Sequence, residues 1–203
     1  MQNLNYSNIK CKTINGKTIK YGFILGNEKI VFIKTGADGN IKGYKNKYLR
    51  MAHRVNQRIG ATVICASNPS DLGYKQQVAA DKATISDTIE ERNWSKPEVY
   101  MFGTSDGAYR NLLLAKEIPQ TIKLVCVNTS PFDFDDLKER LLETSQIHKT
   151  LVYGDRDNEY IYFADVKKLN LSNLTLFVIE GADHEFRGML EEYIALIDLI
   201  SKM

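Results

Sequence analysis

Short apolar runs alternate with helix-forming segments along most of this 203-residue sequence. Runs such as ATVICA at 61–66 and VYMF at 99–102 are apolar at nearly every position rather than at every second one. This pattern is typical of strands that are buried on both faces of a sheet. Strands that alternate with helices predict a mainly parallel sheet with helices on both sides. We therefore expect an α/β protein with a doubly wound, three-layer α/β/α architecture.

The individual elements follow from apolar periodicity and from turn signals. Runs at 9–14 and 18–25 flank Asn15-Gly16, a common two-residue turn, and predict an N-terminal antiparallel hairpin. The further predicted strands are 29–33, 61–66, 99–102, 124–127, 150–153 and 174–179. The predicted helices are 44–59, about 76–92, 108–117, 134–145 and 185–202. Because no repeat or low-complexity linker interrupts the pattern, we expect a single domain over residues 1–203.

Composition argues against several classes of protein. The 27 basic and 25 acidic residues nearly cancel, so we expect neither a nucleic-acid nor a membrane partner. Cys11, Cys65 and Cys126 are too few and too widely spaced for a disulfide framework or a metal site, and we expect the last two to be buried as small apolar residues. The sequence has no signal-peptide pattern and no apolar run near the ~18 residues of a membrane span, which predicts a cytoplasmic protein.

One serine lies between two glycines where a predicted strand meets a predicted helix, in VYMFGTSDGAYRN at 99–111. A tight strand-to-helix turn requires a strained backbone, and side chains beside it would collide with the strand and the helix. Gly103 and Gly107 remove those side chains. The Ser105 hydroxyl would then be exposed beside a helix N-terminus, which favours developing negative charge. Ser105 is therefore a candidate nucleophile.

Polar residues also follow two later strands of the predicted sheet. Asp155 and Asp157 come after the strand at 150–153, and His184 comes after the strand at 174–179. The carboxyl ends of parallel strands lie at the same edge of a sheet, so these side chains are expected to converge with Ser105. His53 and His148, on the first helix and in a polar loop, are expected to be exposed.

The motifs GTSDG at 103–107, GDRD at 154–157 and GADH at 181–184 resemble those of the α/β-hydrolase family. That family places a Gly-x-Ser-x-Gly turn before an acid and a histidine in chain order. The resemblance extends from about residue 29 to the end of the sequence. It implies a cofactor-free serine hydrolase with Ser105 as nucleophile, His184 as base and Asp157 as the acid that orients the base. Asp155 is a close rival for the acid, and Asp133 is a third choice because some relatives carry the acid there.

The resemblance also implies an oxyanion hole made of two backbone amides. One would belong to Asp106, and the other to the loop after the strand at 29–33. Relatives often carry His-Gly in that loop, whereas this sequence has Thr35-Gly36. Because the donor is a main-chain amide, the hole can survive the change, and Ala37 or Gly36 is the expected donor.

Side chains that could contact a substrate are less sharply indicated. Tyr160, Tyr162 and Phe163 follow the acid loop and could either pack a short helix or line the pocket. Lys34, Arg156 and Arg187 lie near predicted strand ends, where we expect surface charges rather than an anion site. About 20 residues separate the strands ending at 127 and beginning at 150, which leaves room for one short helix and favours an open pocket.

The function predicted from the sequence is hydrolysis of a carboxylic ester or thioester through an acyl-enzyme, with a small-molecule acyl substrate. Two alternatives remain at this stage. The first is a non-catalytic binding module that retains the fold, which the altered Thr35-Gly36 loop favours. The second is acyl transfer to an acceptor other than water, which would use the same residues.

Overall fold

The computed structural model describes residues 4–201. Within them, eight strands form one sheet. The strands are β1 (Asn8–Ile14), β2 (Lys17–Ile24), β3 (Asn27–Lys34), β4 (Ala61–Ala66), β5 (Glu98–Thr104), β6 (Thr121–Val127), β7 (His148–Gly154) and β8 (Leu174–Ile179). The helices are α1 (Lys47–Ile59), α2 (Tyr74–Glu91), α3 (Asp106–Ala115), α4 (Phe134–Glu143), α5 (Phe163–Lys168) and α6 (Leu190–Ala195). Short 3-10 segments cover Tyr44–Asn46, Asn158–Tyr162 and Leu196–Ile200.

The sheet has the strand order β1-β2-β4-β3-β5-β6-β7-β8. All pairs from β4 to β8 are parallel, while β1 pairs antiparallel with β2 and β2 pairs antiparallel with β4. Positive φ angles at Asn15 and Gly16 form the tight turn of the hairpin. The structure thus confirms the predicted mainly parallel sheet with an antiparallel N-terminal hairpin.

Apolar residues form two cores, one on each face of the sheet. The first contains residues of α2, α3, α4 and α5, among them Leu112 and Leu141. The second contains residues of α1, α6 and the last 3-10 segment, among them Met51 and Ile197. Helices therefore cover both faces, which confirms the three-layer prediction. None of the helices described between residues 4 and 201 is long and apolar enough to cross a bilayer.

The direction in which strands are added reverses at β3, which lies between β4 and β5. In register, Lys34 at the end of β3 is opposite Gly103 near the end of β5. The loops that follow these two strands consequently leave the sheet side by side. A reversal of this kind opens a crevice at the carboxyl edge of an α/β sheet, where ligands usually bind.

The last helix begins later than predicted. Residues 185–189 form turns, and the helix starts at Leu190 rather than at 185. The Asp183 carboxylate accepts hydrogen bonds from the backbone amides of Glu185 and Arg187, and Phe186 and Gly188 have φ angles of 56° and 79°, which are incompatible with a right-handed helix. The predicted end of this helix, Lys202, lies outside the described residues.

The prediction of a surface charge at Lys34 was wrong. Its side chain is fully buried, and Nζ lies 2.8 Å from a carboxylate oxygen of Asp81 and donates to the Ser67 carbonyl at 3.0 Å. Tyr21 donates a further hydrogen bond to Asp81. Burial lowers the pKa of Lys34, and the Asp81 carboxylate opposes that shift. The charge is buried because α2, a helix packed against the sheet, supplies its partner.

Candidate active site

Ser105 forms the turn between β5 and α3. Its φ and ψ angles are 54° and −129°, a region that non-glycine residues rarely occupy. Such strain costs about 1–3 kcal/mol and persists only where the surroundings enforce it. Here the Ser105 amide donates to the Val127 carbonyl at 2.8 Å, which fixes the turn to the end of β6.

The two glycines of the turn are required by close backbone contacts. A Cβ on Gly103 would lie 2.6 Å from Ala108 Cα, so Gly103 lets α3 pack directly on β5. A Cβ on Gly107 would lie 2.1 Å from the Thr35 carbonyl oxygen, so Gly107 lets the loop after β3 reach the first turn of α3. The glycine pattern thus reflects two separate contacts, and the second joins the two loops predicted to form the oxyanion hole.

Gly107→Ala should destabilise the fold by about 2–3 kcal/mol, because a backbone carbonyl would have to move to admit the new methyl group. Helix propensity alone would make the alanine variant more stable by up to about 1 kcal/mol. The predicted change in the free energy of unfolding therefore has the opposite sign to the propensity effect. Gly36→Ala is the control, because its Cβ would lie 3.5 Å from the nearest atom, Ser105 Cβ. That variant should stay within about 0.5 kcal/mol of wild type. Urea unfolding measures both, and equal midpoints for the two variants would contradict the argument.

Ser105, His184 and Asp157 form a continuous hydrogen-bonded chain. His184 Nε2 lies 2.9 Å from Ser105 Oγ, and Nδ1 lies 3.0 Å from each carboxylate oxygen of Asp157. The Asp157 side chain is 1% exposed and that of His184 is 42% exposed. The hydrogen bond with Asp157 raises the pKa of His184; burial opposes this shift, and the charges of Asp157, Glu159 and Glu185 add to it. The arrangement can withdraw a proton from Ser105 and stabilise the imidazolium that results.

The three acids considered from the sequence have different positions. Asp157 bonds to His184 and also accepts from the Glu159 amide at 3.1 Å. Asp155 instead accepts from the Gly181 amide at 2.7 Å and so holds the loop that carries His184. Asp133 caps the N-terminus of α4. Among residues 4–201, no three His, Cys, Asp or Glu side chains are grouped as a metal would require.

A buried asparagine, Asn128, joins the acid loop to the histidine loop. Its amino group lies 3.3 Å from the Asp183 carbonyl and 3.2 Å from the His184 carbonyl, to which it donates. Its side-chain oxygen accepts from the Gly154 amide at 2.9 Å. Both loops are therefore held by one side chain at the end of β6, and this fixes His184 relative to Asp157.

The loop after β3 is closed by its own hydrogen bonds. Thr35 Oγ1 donates to the Gly39 carbonyl, and the Gly39 amide donates to the Gly36 carbonyl, both at 2.9 Å. Burial and the neighbouring Tyr193 raise the pKa of Tyr48, and the Gly36 backbone acts against this shift. Ala37 is exposed at the tip of the loop. Opposite it, Asp106 is the first residue of α3, so its amide has no acceptor within the helix.

Two polar residues that lie near Ser105, His184 and Asp157 were missed from the sequence. Ser130 Oγ lies 3.2 Å from Ser105 Oγ. Burial raises the pKa of Glu159, a hydrogen bond from Ser130 opposes this shift, and the Asp157 charge adds to it. Both residues follow strands that end at the same edge as Ser105, so the rule that found the acid and the histidine could have indicated them. Many polar residues follow those strands, however, and the rule does not choose among them.

The aromatic residues predicted either to pack or to line a pocket take part in core packing. Tyr160 and Phe163 stack with ring centroids 5.3 Å apart, and both meet Tyr153 edge-on. Tyr162 stacks on Phe134. Contact between these rings and a substrate stays a prediction. Arg187 lies on the surface, 3.5 Å from Asp183, and Arg156 is exposed.

Comparison with solved structures places this architecture among the α/β hydrolases. Est1E from Butyrivibrio proteoclasticus is similar with a TM-score of 0.71 and 15% identity, over 96% of this chain and 98% of that one. A putative α/β hydrolase of unknown function from Agrobacterium tumefaciens gives a TM-score of 0.75 and 15% identity, over 96% of this chain and 95% of that one. Dienelactone hydrolase from Anabaena variabilis gives a TM-score of 0.71 and 18% sequence identity, over 95% of each chain. No family model and no curated protein sequence matches the chain. The chain therefore has the α/β-hydrolase fold.

Proposed function

We propose that this chain, whose fold is that of the α/β hydrolases, is a serine hydrolase that cleaves a carboxylic ester or thioester through an acyl-enzyme. The observation that carries the proposal is the chain of hydrogen bonds from Asp157 through His184 to Ser105, with contacts of 3.0 and 2.9 Å. The strained backbone of Ser105 supports it, because strain of this kind is concentrated at functional sites. The dienelactone hydrolase among the structural neighbours supports the general class of reaction.

In the acylation step, Ser105 Oγ attacks the carbonyl carbon while its proton passes to His184 Nε2. The carbonyl oxygen becomes an oxyanion that the amides of Asp106 and Ala37 stabilise. Asp157 keeps the remaining proton on Nδ1 and stabilises the imidazolium. When the intermediate collapses, the bond from carbon to the leaving oxygen or sulfur breaks, and His184 gives its proton to the leaving group.

Deacylation repeats the sequence with water. His184 takes a proton from the water molecule while the water oxygen attacks the acyl carbon. The bond from carbon to Ser105 Oγ then breaks, and the proton on His184 returns to Oγ. The product is a carboxylic acid, and the protein recovers its starting state.

The surroundings of Ser105 favour a small or flexible acyl substrate. Between β6 and β7 the chain has one helix, α4, and no larger insertion that could cover the site. On the loop before α4, the Phe132 ring is 72% exposed and meets Tyr74 edge-on, and Tyr74 in turn donates to Asp106. An apolar part of the substrate would pack against this ring, and the rest would extend into solvent.

A panel of p-nitrophenyl esters and matching thioesters of graded acyl length tests the proposal. We expect hydrolysis of at least the short members, a single covalent adduct with a fluorophosphonate probe, and location of that adduct at Ser105 by peptide mass spectrometry. Absence of both hydrolysis and adduct would reject the enzyme in favour of the binding module. If added amine or alcohol acceptors give only amides or esters and no free acid, the assigned function would be acyl transfer rather than hydrolysis.

The pH profile of kcat/KM should have an acid limb whose midpoint lies above the ordinary histidine value of 6.5, because the pKa of His184 is raised. Below that midpoint His184 is protonated and cannot accept the Ser105 proton. Glu159→Gln removes a negative charge that favours the imidazolium, so the pKa of His184 falls and the limb moves to lower pH. The exposed Glu192, replaced by glutamine, is the control and should leave the midpoint in place. A midpoint unchanged by Glu159→Gln would refute the assignment of the limb.

A further inference from the structure

The carboxylate of Asp106 is held by three donors from different parts of the chain. Arg110 Nε donates at 2.5 Å, Tyr74 Oη at 2.8 Å and Asn68 Nδ2 at 2.8 Å. Burial alone would raise the pKa of Asp106, but these bonds outweigh it and lower the pKa. The Asp106 side chain is therefore an ionised carboxylate held in one position. In the proposed mechanism, however, Asp106 stabilises the oxyanion through its backbone amide.

Asn68 connects this anion to the loop after β3. Its Nδ2 also donates to the Thr35 carbonyl at 2.9 Å. On the main chain, the Asn68 amide donates to the Gly39 carbonyl at 3.0 Å, and the Asp38 amide donates to the Asn68 carbonyl at 2.7 Å. Asn68 thus bonds to the loop on both sides of Ala37 while its amino group also bonds to the first residue of α3.

The chemistry of these contacts fixes the orientation of the Asn68 amide. Both partners of Nδ2 are acceptors only, a carbonyl and a carboxylate, so the amino group must face them. The side chain is fully buried, and its Oδ1 accepts no hydrogen bond from the described residues. All side-chain bonding of Asn68 is therefore directed to the two segments that carry the proposed oxyanion donors.

We propose that Asn68 is a positioning residue for the oxyanion hole, a conclusion that rests on the proposed hydrolase function. Its amino group fixes the spacing between the loop that contains Ala37 and the helix start that contains Asp106. Oxyanion stabilisation requires donors about 2.7–3.1 Å from the developing charge. Displacement by about 1 Å would weaken binding of the transition state more than binding of the uncharged substrate. Loss of Asn68 should therefore lower kcat and leave KM nearly unchanged.

The test compares Asn68→Leu with Gln77→Met. Gln77 is a matched control because it is another fully buried carboxamide, its Nε2 donates to the carbonyls of Pro69 and Leu72, and its Oε1 has no partner among the described residues. It holds the same stretch after β4 but contacts neither Thr35 nor Asp106 in these bonds. Both substitutions keep side-chain size and remove the hydrogen bonds, so losses of stability should be similar.

We expect kcat of Asn68→Leu to fall by about 10- to 100-fold, somewhat less than the effect of deleting an oxyanion donor, with KM within about threefold of wild type. Binding of a boronic acid, whose tetrahedral adduct places an oxygen in the hole, should weaken by a similar factor. Gln77→Met should keep kcat within about threefold. A wild-type kcat in Asn68→Leu, or an equal loss in Gln77→Met, would overturn the proposal.

Amide hydrogen exchange separates this proposal from the hydrolase function. Asn68→Leu should accelerate exchange at the amides of Asp38 and Gly39, which hydrogen bonds of the loop after β3 protect, relative to Gln77→Met. If wild type neither hydrolyses esters nor reacts with the fluorophosphonate, the proposed function fails, and any role at an oxyanion hole fails with it. If the enzyme is active and exchange at both amides is unchanged, the positioning role of Asn68 is rejected and the hydrolase function is retained.

Discussion

Ser105→Ala should lower kcat for ester hydrolysis by about 10⁵- to 10⁶-fold and abolish fluorophosphonate labelling. The hydroxyl is the atom that forms the acyl-enzyme, and loss of a serine nucleophile in a triad typically costs about this much. A small residual rate above the uncatalysed reaction is expected, because the oxyanion donors and the base remain in place. Steady-state kinetics with a p-nitrophenyl ester and gel fluorescence of the labelled protein measure the two effects.

Two control experiments test whether the loss of activity is specific to the Ser105 hydroxyl. The variant should unfold in urea close to the wild-type midpoint, because alanine retains the Cβ and the backbone hydrogen bond to Val127 does not involve the side chain. Ser130 is the rival hydroxyl, 3.2 Å from Ser105 Oγ, and Ser130→Ala should still be labelled. Labelling that survives Ser105→Ala but disappears in Ser130→Ala would reverse the roles of the two serines.

The sheet and the serine turn were predictable because their signals are local. Continuous apolar runs mark strands buried on both faces, and the strand-to-helix turn at Ser105 requires glycines at fixed offsets. The expectation that His184 and Asp157 would approach Ser105 needed only one further rule, that the carboxyl ends of parallel strands share an edge. Neither step depends on which side chains pack against which across the fold.

The features that were not predictable depend on partners that are distant in the sequence. Lys34 is buried because Asp81, far along the sequence in α2, neutralises it. Asn68 follows a strand like many other loop residues, and its importance appears only when Thr35 and Asp106 are found within reach of one amino group. The late start of α6 depends on the Asp183 carboxylate, which bonds to the amides that a longer helix would have used.

The three acids occupy different positions in the structure, although motif spacing leaves the choice among them open. Asp155 and Asp157 are two residues apart in one loop, so the sequence could favour one only by resemblance. In the structure, Asp155 faces the Gly181 amide and Asp157 faces His184. These positions imply different consequences for the same substitution, and a set of isosteric variants can separate them.

Asp157→Asn should lower kcat by about 10⁴-fold, the loss typical when the acid of a triad is made neutral. The Glu159 amide donates to Asp157 Oδ1, so the asparagine oxygen should take that place and its amino group should face His184 Nδ1. Nδ1 would then be an acceptor, the ring proton would move to Nε2, and Nε2 could no longer accept the Ser105 proton. Asp155→Asn and Asp133→Asn should stay within about tenfold of wild type, because an asparagine oxygen can accept the same backbone hydrogen bonds. Kinetics on the three variants at a pH well above the acid limb provide the comparison. A large loss in Asp155→Asn, with Asp157→Asn nearly active, would assign the acid to Asp155 and require the loop to rearrange when substrate binds.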